Sequence, residues 1–155
     1  MMIRIDELIN RVLTQYPTLS QNKNWGEKGL FYNPGNQFAL GAYVLTFKEK
    51  DGENDSASKI DRGGIYRLNL KISKKTFIEL FGTVPTRAPA GQVVNTGHDF
   101  TKLDEVMPHP VYGWMTWIGV LNPSFKTIET MEKQNIFEEA YQAAVKNINK
   151  KLGAR

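Results

Sequence analysis

The 155-residue chain contains no cysteine, which excludes disulfides, thiolate metal sites and a cysteine nucleophile. It has only two histidines, so few side chains are available for acid–base work near neutral pH. No apolar stretch approaches the ~18 residues that suggest a spanning helix. The start, Met1-Met-Ile-Arg-Ile-Asp-Glu-Leu-Ile9, is charged and helical in pattern rather than signal-peptide-like. These absences point to a cytoplasmic, bacterial-type protein with no membrane association. Motif chemistry is equally sparse. There is no phosphate-cradling loop ending in Lys-Ser/Thr, no dinucleotide fingerprint, no His-Glu-x-x-His and no Gly-x-Ser-x-Gly, which weakens NTPase, dehydrogenase, zincin and α/β-hydrolase readings.

What remains is ordinary globular material. Hydrophobic residues make up 41% and charged residues 23%, and the length suits a single domain over residues 1–155. With 20 Lys+Arg against 16 Asp+Glu the formal net charge is +4, a weak bias towards polyanions.

Hydrophobic spacing organises the chain. Ile5, Leu8, Ile9, Val12, Leu13 and Tyr16 recur at helical intervals until Pro17 pushes the preceding residue out of helical space. Ser20 to Asn24 reads as a polar linker, and Leu30 to Tyr32 as a short strand ended by Asn33-Pro-Gly35. Gly41 to Glu49 reads as a strand with Tyr43, Leu45 and Phe47 on one face and Val44, Thr46 and Lys48 on the other. The cleanest alternation is Ile65 to Ile72. It sends Tyr66, Leu68, Leu70 and Ile72 one way and Arg67, Asn69 and Lys71 the other, as in a half-buried antiparallel strand. Ser73 is placed as an N-cap for a short helix ended by Gly82. A long loop from Thr83 to Val106 carries turn signals, with room for a short strand at Val93-Val94. Tyr112 to Leu121 reads as a strand rich in aromatics, followed by Asn122-Pro123 in cap-then-first-turn order. Two helices complete the chain, the second with Asn135 and Glu138 spaced like a capping box. The fold class is therefore α+β, an antiparallel sheet with terminal helices packed on one face.

Three groups of residues are candidates for chemistry. Asp51, Glu53, Asn54, Asp55 and Asp61 sit in one loop, but their spacing does not match an EF-hand and nearby cations offset them. Asp61-Arg62 at the mouth of a strand suits either a guanidinium clamp for an anion or a local ion pair. His98-Asp99 and His109 offer a base with an orienting carboxylate, although two histidines eleven apart have no metal-site spacing. No metal and no cofactor is expected. His109 lies between Pro108 and Pro110, which restrict its backbone and leave cis bonds open. Finally, Thr46, Lys48, Arg67, Asn69 and Lys71 form a polar, basic sheet face. Trp114 or Trp117 emerging there would interleave aromatics with cations, whereas both rings turned inward would fill a core.

The segments Trp25-Gly-Glu, Phe31-Tyr-Asn-Pro34, Asp51-Gly-Glu-Asn-Asp55, Asp61-Arg-Gly-Gly64, Phe81-Gly82 and His109-Pro-Val-Tyr-Gly-Trp-Met115 together resemble a family of uncharacterised bacterial proteins across nearly the whole chain. The layout, with Trp117 to Leu121 and Glu138-Glu-Ala-Tyr141, more distantly resembles the MmcQ/YjbR-like group. That resemblance implies the α+β fold of bacterial frataxin homologues and a group often labelled DNA-binding. Frataxin's acidic ridge does not carry over, because the first helix has only Asp6 and Glu7.

The leading expectation is a binding module for nucleic acid or a small anionic ligand, using Arg62, Arg67, Lys71, His109 and an exposed aromatic. The rival is a small hydrolase or lyase with His98, Asp99, His109 and Tyr112 in one pocket and Asp61 and Arg62 at its rim. A third is an interaction protein with the aromatic strand at a dimer edge.

Overall fold

The computed structural model describes residues 1–153. Strands β1 (Ser20–Asn24), β2 (Glu27–Tyr32), β3 (Ala42–Lys48), β4 (Arg67–Lys71), β5 (Met107–Pro108) and β6 (Trp117–Leu121) form one antiparallel sheet in the order β1-β2-β3-β4-β6-β5. Helices α1 (Ile5–Gln15), α2 (Lys74–Phe81), α3 (Phe125–Lys133) and α4 (Ile136–Gly153) cover one face of it. The α+β expectation with terminal helices on one face holds.

Register explains the covered face. Leu45 pairs with Leu70 and Phe47 with Leu68, and β4 continues the rows by pairing Leu68 with Val120 and Leu70 with Ile118. Because strand side chains alternate, these positions point one way. They meet Leu8 and Val12 of α1, Phe77 of α2, Ile128 and Met131 of α3, and Ala140, Ala144 and Ile148 of α4. Each fully buried Leu, Ile or Phe contributes about 1.5–3 kcal/mol relative to an exposed one. α2 begins as expected, with the Ser73 hydroxyl accepting from the Thr76 amide at 3.1 Å, and Gly82 closes it.

Several expectations are corrected. Ser20 to Asn24 is not a linker but edge strand β1, whose polar side chains keep an exposed edge soluble. In β3, Leu30 pairs with Leu45 and Phe31 with Tyr43, so Val44 has no partner across β2. That bulge breaks the two-residue period. Val44 joins the core, while Tyr43 turns to the face that carries Thr46. The aromatic segment is not one strand from Tyr112. Residues Gly113–Met115 form a 3-10 turn, Thr116 takes φ +63°, and β6 starts only at Trp117. A β-branched residue seldom adopts that conformation. Here the Thr116 hydroxyl donates to the Ile72 carbonyl at 2.7 Å and the Thr116 carbonyl accepts from the Ile72 amide at 3.1 Å. The cap of α3 is Ser124, not Asn122. Asn122 at φ +43° instead accepts from the Tyr66 amide and donates to the Gly64 carbonyl. The Glu138 carboxylate accepts from Tyr16 and Gln142 rather than closing a capping box. Val93-Val94 forms no strand, and the bonds flanking His109 are trans.

The other face of the sheet is roofed by loops rather than helices. Val94, Phe100 and Met107 make a small second apolar cluster over the β5–β6 end, with Ala57 and Trp114 beside it. The Val94 amide donates to the Pro110 carbonyl and the Asp104 amide to the Leu121 carbonyl, which hold the long loop down. No helix among the described residues is long and apolar enough to cross a membrane.

Candidate functional site

Between the loop roof and the β1–β2 hairpin, the outer face sinks into a cavity of about 340 Å³. Its floor is Thr46 of β3 with Arg67 and Asn69 of β4, its far wall comes from the 109–117 turn, and its near wall from the hairpin and Tyr43. Two glycines shape this floor. A side chain at Gly119, which pairs with Asn69, would place its Cβ 3.1 Å from Arg67 Cδ. Gly119 therefore lets the arginine lie flat across the sheet. Gly29 likewise leaves space for the Phe31 ring, which packs at 4.9 Å against Tyr43.

Arg67 is only 2% exposed, and a buried guanidinium must be paired. Its Nε donates to Asn69 Oδ1 at 2.6 Å and Nη1 donates to Asp55 Oδ1 at 3.1 Å and Ser58 Oγ at 2.9 Å. Nη2 donates to Asp55 Oδ2, completing a bidentate pair of the strong fork-to-carboxylate kind. Asn69 is oriented in turn by its own amide donating to Thr46 Oγ1 at 3.2 Å. Nearby, Lys48 pairs with Glu27 at 3.6 Å.

His109 is 3% exposed and faces this network from the turn. The amides of Val111 and Tyr112 both donate to its Nδ1 at 3.0 Å, while the Gly113 amide donates to the His109 carbonyl at 2.9 Å. The ring thus caps the turn of its own chain. Two donors on Nδ1 make that nitrogen an acceptor, so the proton of the neutral ring resides on Nε2. Burial, followed by the charges of Arg67 and Lys48, holds the imidazole pKa well below its usual value, so the ring is neutral at pH 7. Nε2–H lies 3.1 Å from Arg67 Nη2 and 3.9 Å from Asp55 Oδ2. Two donors therefore face each other beside the cavity, with the shared carboxylate beyond hydrogen-bond reach of the imidazole. An acceptor on the cavity side, about 3 Å from each nitrogen, would satisfy both.

Four aromatic rings surround the polar floor. Tyr43 and Trp117 meet edge to face at 6.5 Å, Tyr112 tilts against His109 at 5.0 Å and is half exposed, and Trp25 stands at the mouth.

Of the residues singled out in the sequence, His109, Tyr112 and Arg67 come together here. Thr46, Asp55, Asn69 and Trp117 also line the cavity, whereas the remaining ones do not. Lys71 donates to the Met115 carbonyl and to Thr116 Oγ1, and burial lowers its pKa. Trp114 rests on the minor cluster with the Arg87 guanidinium 5.0 Å above its ring. Arg62 donates to the Thr101 carbonyl, and Asp61 accepts from the Asp51 amide, so this pair ties loops rather than forming an anion clamp. His98 bonds Thr96 Oγ1 at 2.8 Å, meets Phe81 edge to face and lies tilted beside Phe100. Asp99 folds back on Thr101. The acidic loop does not converge either. Asp51 accepts from the Ile60 amide, Asp55 faces Arg67, and no group of three or more His, Asp or Glu side chains that would hold a metal occurs among the described residues.

Sequence reasoning missed the importance of Asp55, Trp25 and Tyr43. Only the Trp-Gly pair carried a signal, that of a tight turn.

No match is found among curated proteins or among solved structures, and no finding links the chain to the MmcQ/YjbR-like group. Residues 3–153 match the model of DUF6194, a family of unknown function, and the chain belongs to that family.

Proposed function

We propose that the protein is a non-catalytic binding module for a small molecule presenting a carboxylate or carbonyl oxygen. The observation that carries this reading is the closeness of Arg67 Nη2 and His109 Nε2, 3.1 Å apart beside a concave, aromatic-walled cavity, with both amides on Nδ1 assigning the proton to Nε2. Few precisely placed polar groups in an otherwise apolar pocket are what small-ligand sites use. Since Asp55 already neutralises Arg67, recognition rests on donor geometry, with a carboxylate forming the stronger, charge-assisted version.

The nucleic-acid reading loses its cations. Lys48 is paired with Glu27, Arg67 with Asp55, and Lys71 is turned into the 3-10 segment. The hydrolase reading loses its base. His98 is elsewhere, and His109 Nδ1 is occupied by two amides while Nε2 already carries the proton.

Backbone-amide NMR titration with sodium acetate, cyclohexanecarboxylate, benzoate and inorganic phosphate, beside a short single-stranded DNA, tests the reading. Saturable shifts at Asn69, Val111 and Tyr112 with at least one carboxylate, weakened in His109→Asn, are expected. Asparagine keeps an Oδ1 acceptor for the turn amides but has no counterpart to Nε2–H. Absence of any cavity response to the acids, or salt-sensitive DNA binding at these residues instead, overturns it.

A further inference from the structure

Resting on the cavity's reading as a small-molecule site, we infer that its ligand is a flat aromatic acid or amide, and that the Trp25 indole closes over the ring. The β1–β2 hairpin turns in two residues, Trp25-Gly26, between the paired Asn24 and Glu27. Both turn residues have positive φ, +54° and +79°. A tight turn of this kind favours Asn, Asp or Gly at its first position, and a bulky residue there is a backbone outlier.

Among the described residues, nothing compensates for that choice. Trp25 is 91% exposed, so the largest apolar side chain in the repertoire occupies a disfavoured conformation without burial. Strain held at a loop tip beside a cavity points to a function there. The flanks of the tip are fixed. The Asn24 amide donates to the Tyr43 hydroxyl, and Glu27 pairs with Lys48. The indole alone is uncommitted, at the cavity mouth.

The opposing surfaces suit a ring rather than a chain. Tyr43 and Trp117 stand at 76° to each other, and the half-exposed Tyr112 borders the other side. A cavity of about 340 Å³ lies at the small end of ligand pockets, so it suits a one- or two-ring molecule. With its oxygen against Arg67 and His109 on the cavity side, such a ring would extend towards the mouth, where an indole can stack on its face.

Benzoate and cyclohexanecarboxylate carry the same carboxylate and differ in ring flatness and π character. We expect benzoate to bind the wild-type cavity about three- to tenfold more tightly, the range that one aromatic contact supplies. Trp25→Asn, which creates the Asn-Gly pair this turn prefers, is expected to fold at least as stably and to abolish the preference. Trp25→Phe is expected to retain most of it. Equal affinity for the two acids, or a preference unchanged in Trp25→Asn, overturns the aromatic inference and leaves the cavity reading standing. Binding of neither acid at the cavity overturns the aromatic inference, and absence of a response to acetate as well overturns both.

Discussion

The two faces of the sheet are built by opposite rules. On the helix-covered face, stability comes from many interchangeable apolar contacts running in register across β3, β4 and β6. On the loop-covered face, a buried guanidinium depends on three named partners, Asp55, Ser58 and Asn69, and two glycines are needed to make room. The first arrangement tolerates change of the right size. The second fails when any one member is removed, because what is left behind is an unpaired polar group. A face so costly to assemble is a poor device for stability alone, since apolar replacement of a buried ion pair is often neutral or stabilising.

The largest effects should come from breaking each face at its centre. Leu70→Ala leaves a cavity in the apolar layer and is expected to cost about 2–5 kcal/mol in denaturant unfolding. Asp55→Ala, although its side chain sits in a loop, is expected to match it at about 3–5 kcal/mol by stranding Arg67. Adding Arg67→Met to Asp55→Ala should recover part of the loss, whereas it should recover none in Leu70→Ala. If Asp55→Ala is as mild as an ordinary loop substitution, the contrast between the faces collapses.

A smaller effect tests the space between them. Gly119→Ala would crowd Arg67, and overpacking of this kind costs about 1–3 kcal/mol. It should also shift the resonances of Asp55, which bonds Arg67 rather than β6.

The pH response of His109 comes next. Burial and neighbouring cations lower its folded pKa well below 6.5, so in mildly acidic solution the unfolded chain binds a proton that the folded chain refuses. Stability therefore rises with pH through this window and falls as pH drops below about 6.5, by up to ~1.4 kcal/mol per unit. His109→Asn should flatten that part of the profile between pH 5 and 7. An identical slope in both proteins would show that His109 is not held neutral.

Trp25→Asn should change stability least, by about 1 kcal/mol or less and in the favourable direction. An exposed side chain that matters to binding and not to folding is the signature expected of the outer face.

How much of this was legible follows the same division. The helix-covered face could be read from alternation in Ile65 to Ile72, and that strand also revealed that Arg67 and Asn69 point away from the core. Nothing in a two-residue period says what covers the outward side. Tyr112 to Leu121 reads as one strand because its residues favour β structure, yet the bonds of the Thr116 hydroxyl and carbonyl to the Ile72 backbone hold a turn at its start. Tyr43 reads as sharing a face with Leu45 and Phe47 because the bulge at Val44 has no sequence marker. Asp55 was one acid among several in a charged loop, and only the fold brings it to Arg67 twelve residues on. Trp25 gave a turn signal through Gly26, while its place above the cavity depends on pairing between β1 and β2.

Which nitrogen of His109 carries the proton decides whether the ring can donate to a ligand in the cavity. Long-range 1H–15N correlation of the imidazole at pH 7 measures this directly. A neutral ring protonated on Nε2, with the Nε2 resonance moving when a carboxylate such as benzoate occupies the cavity, is the result expected of a donor facing Arg67. A ring protonated on Nδ1, or an imidazolium at that pH, would contradict it and return His109 to the candidates for a catalytic base or an anion-binding charge.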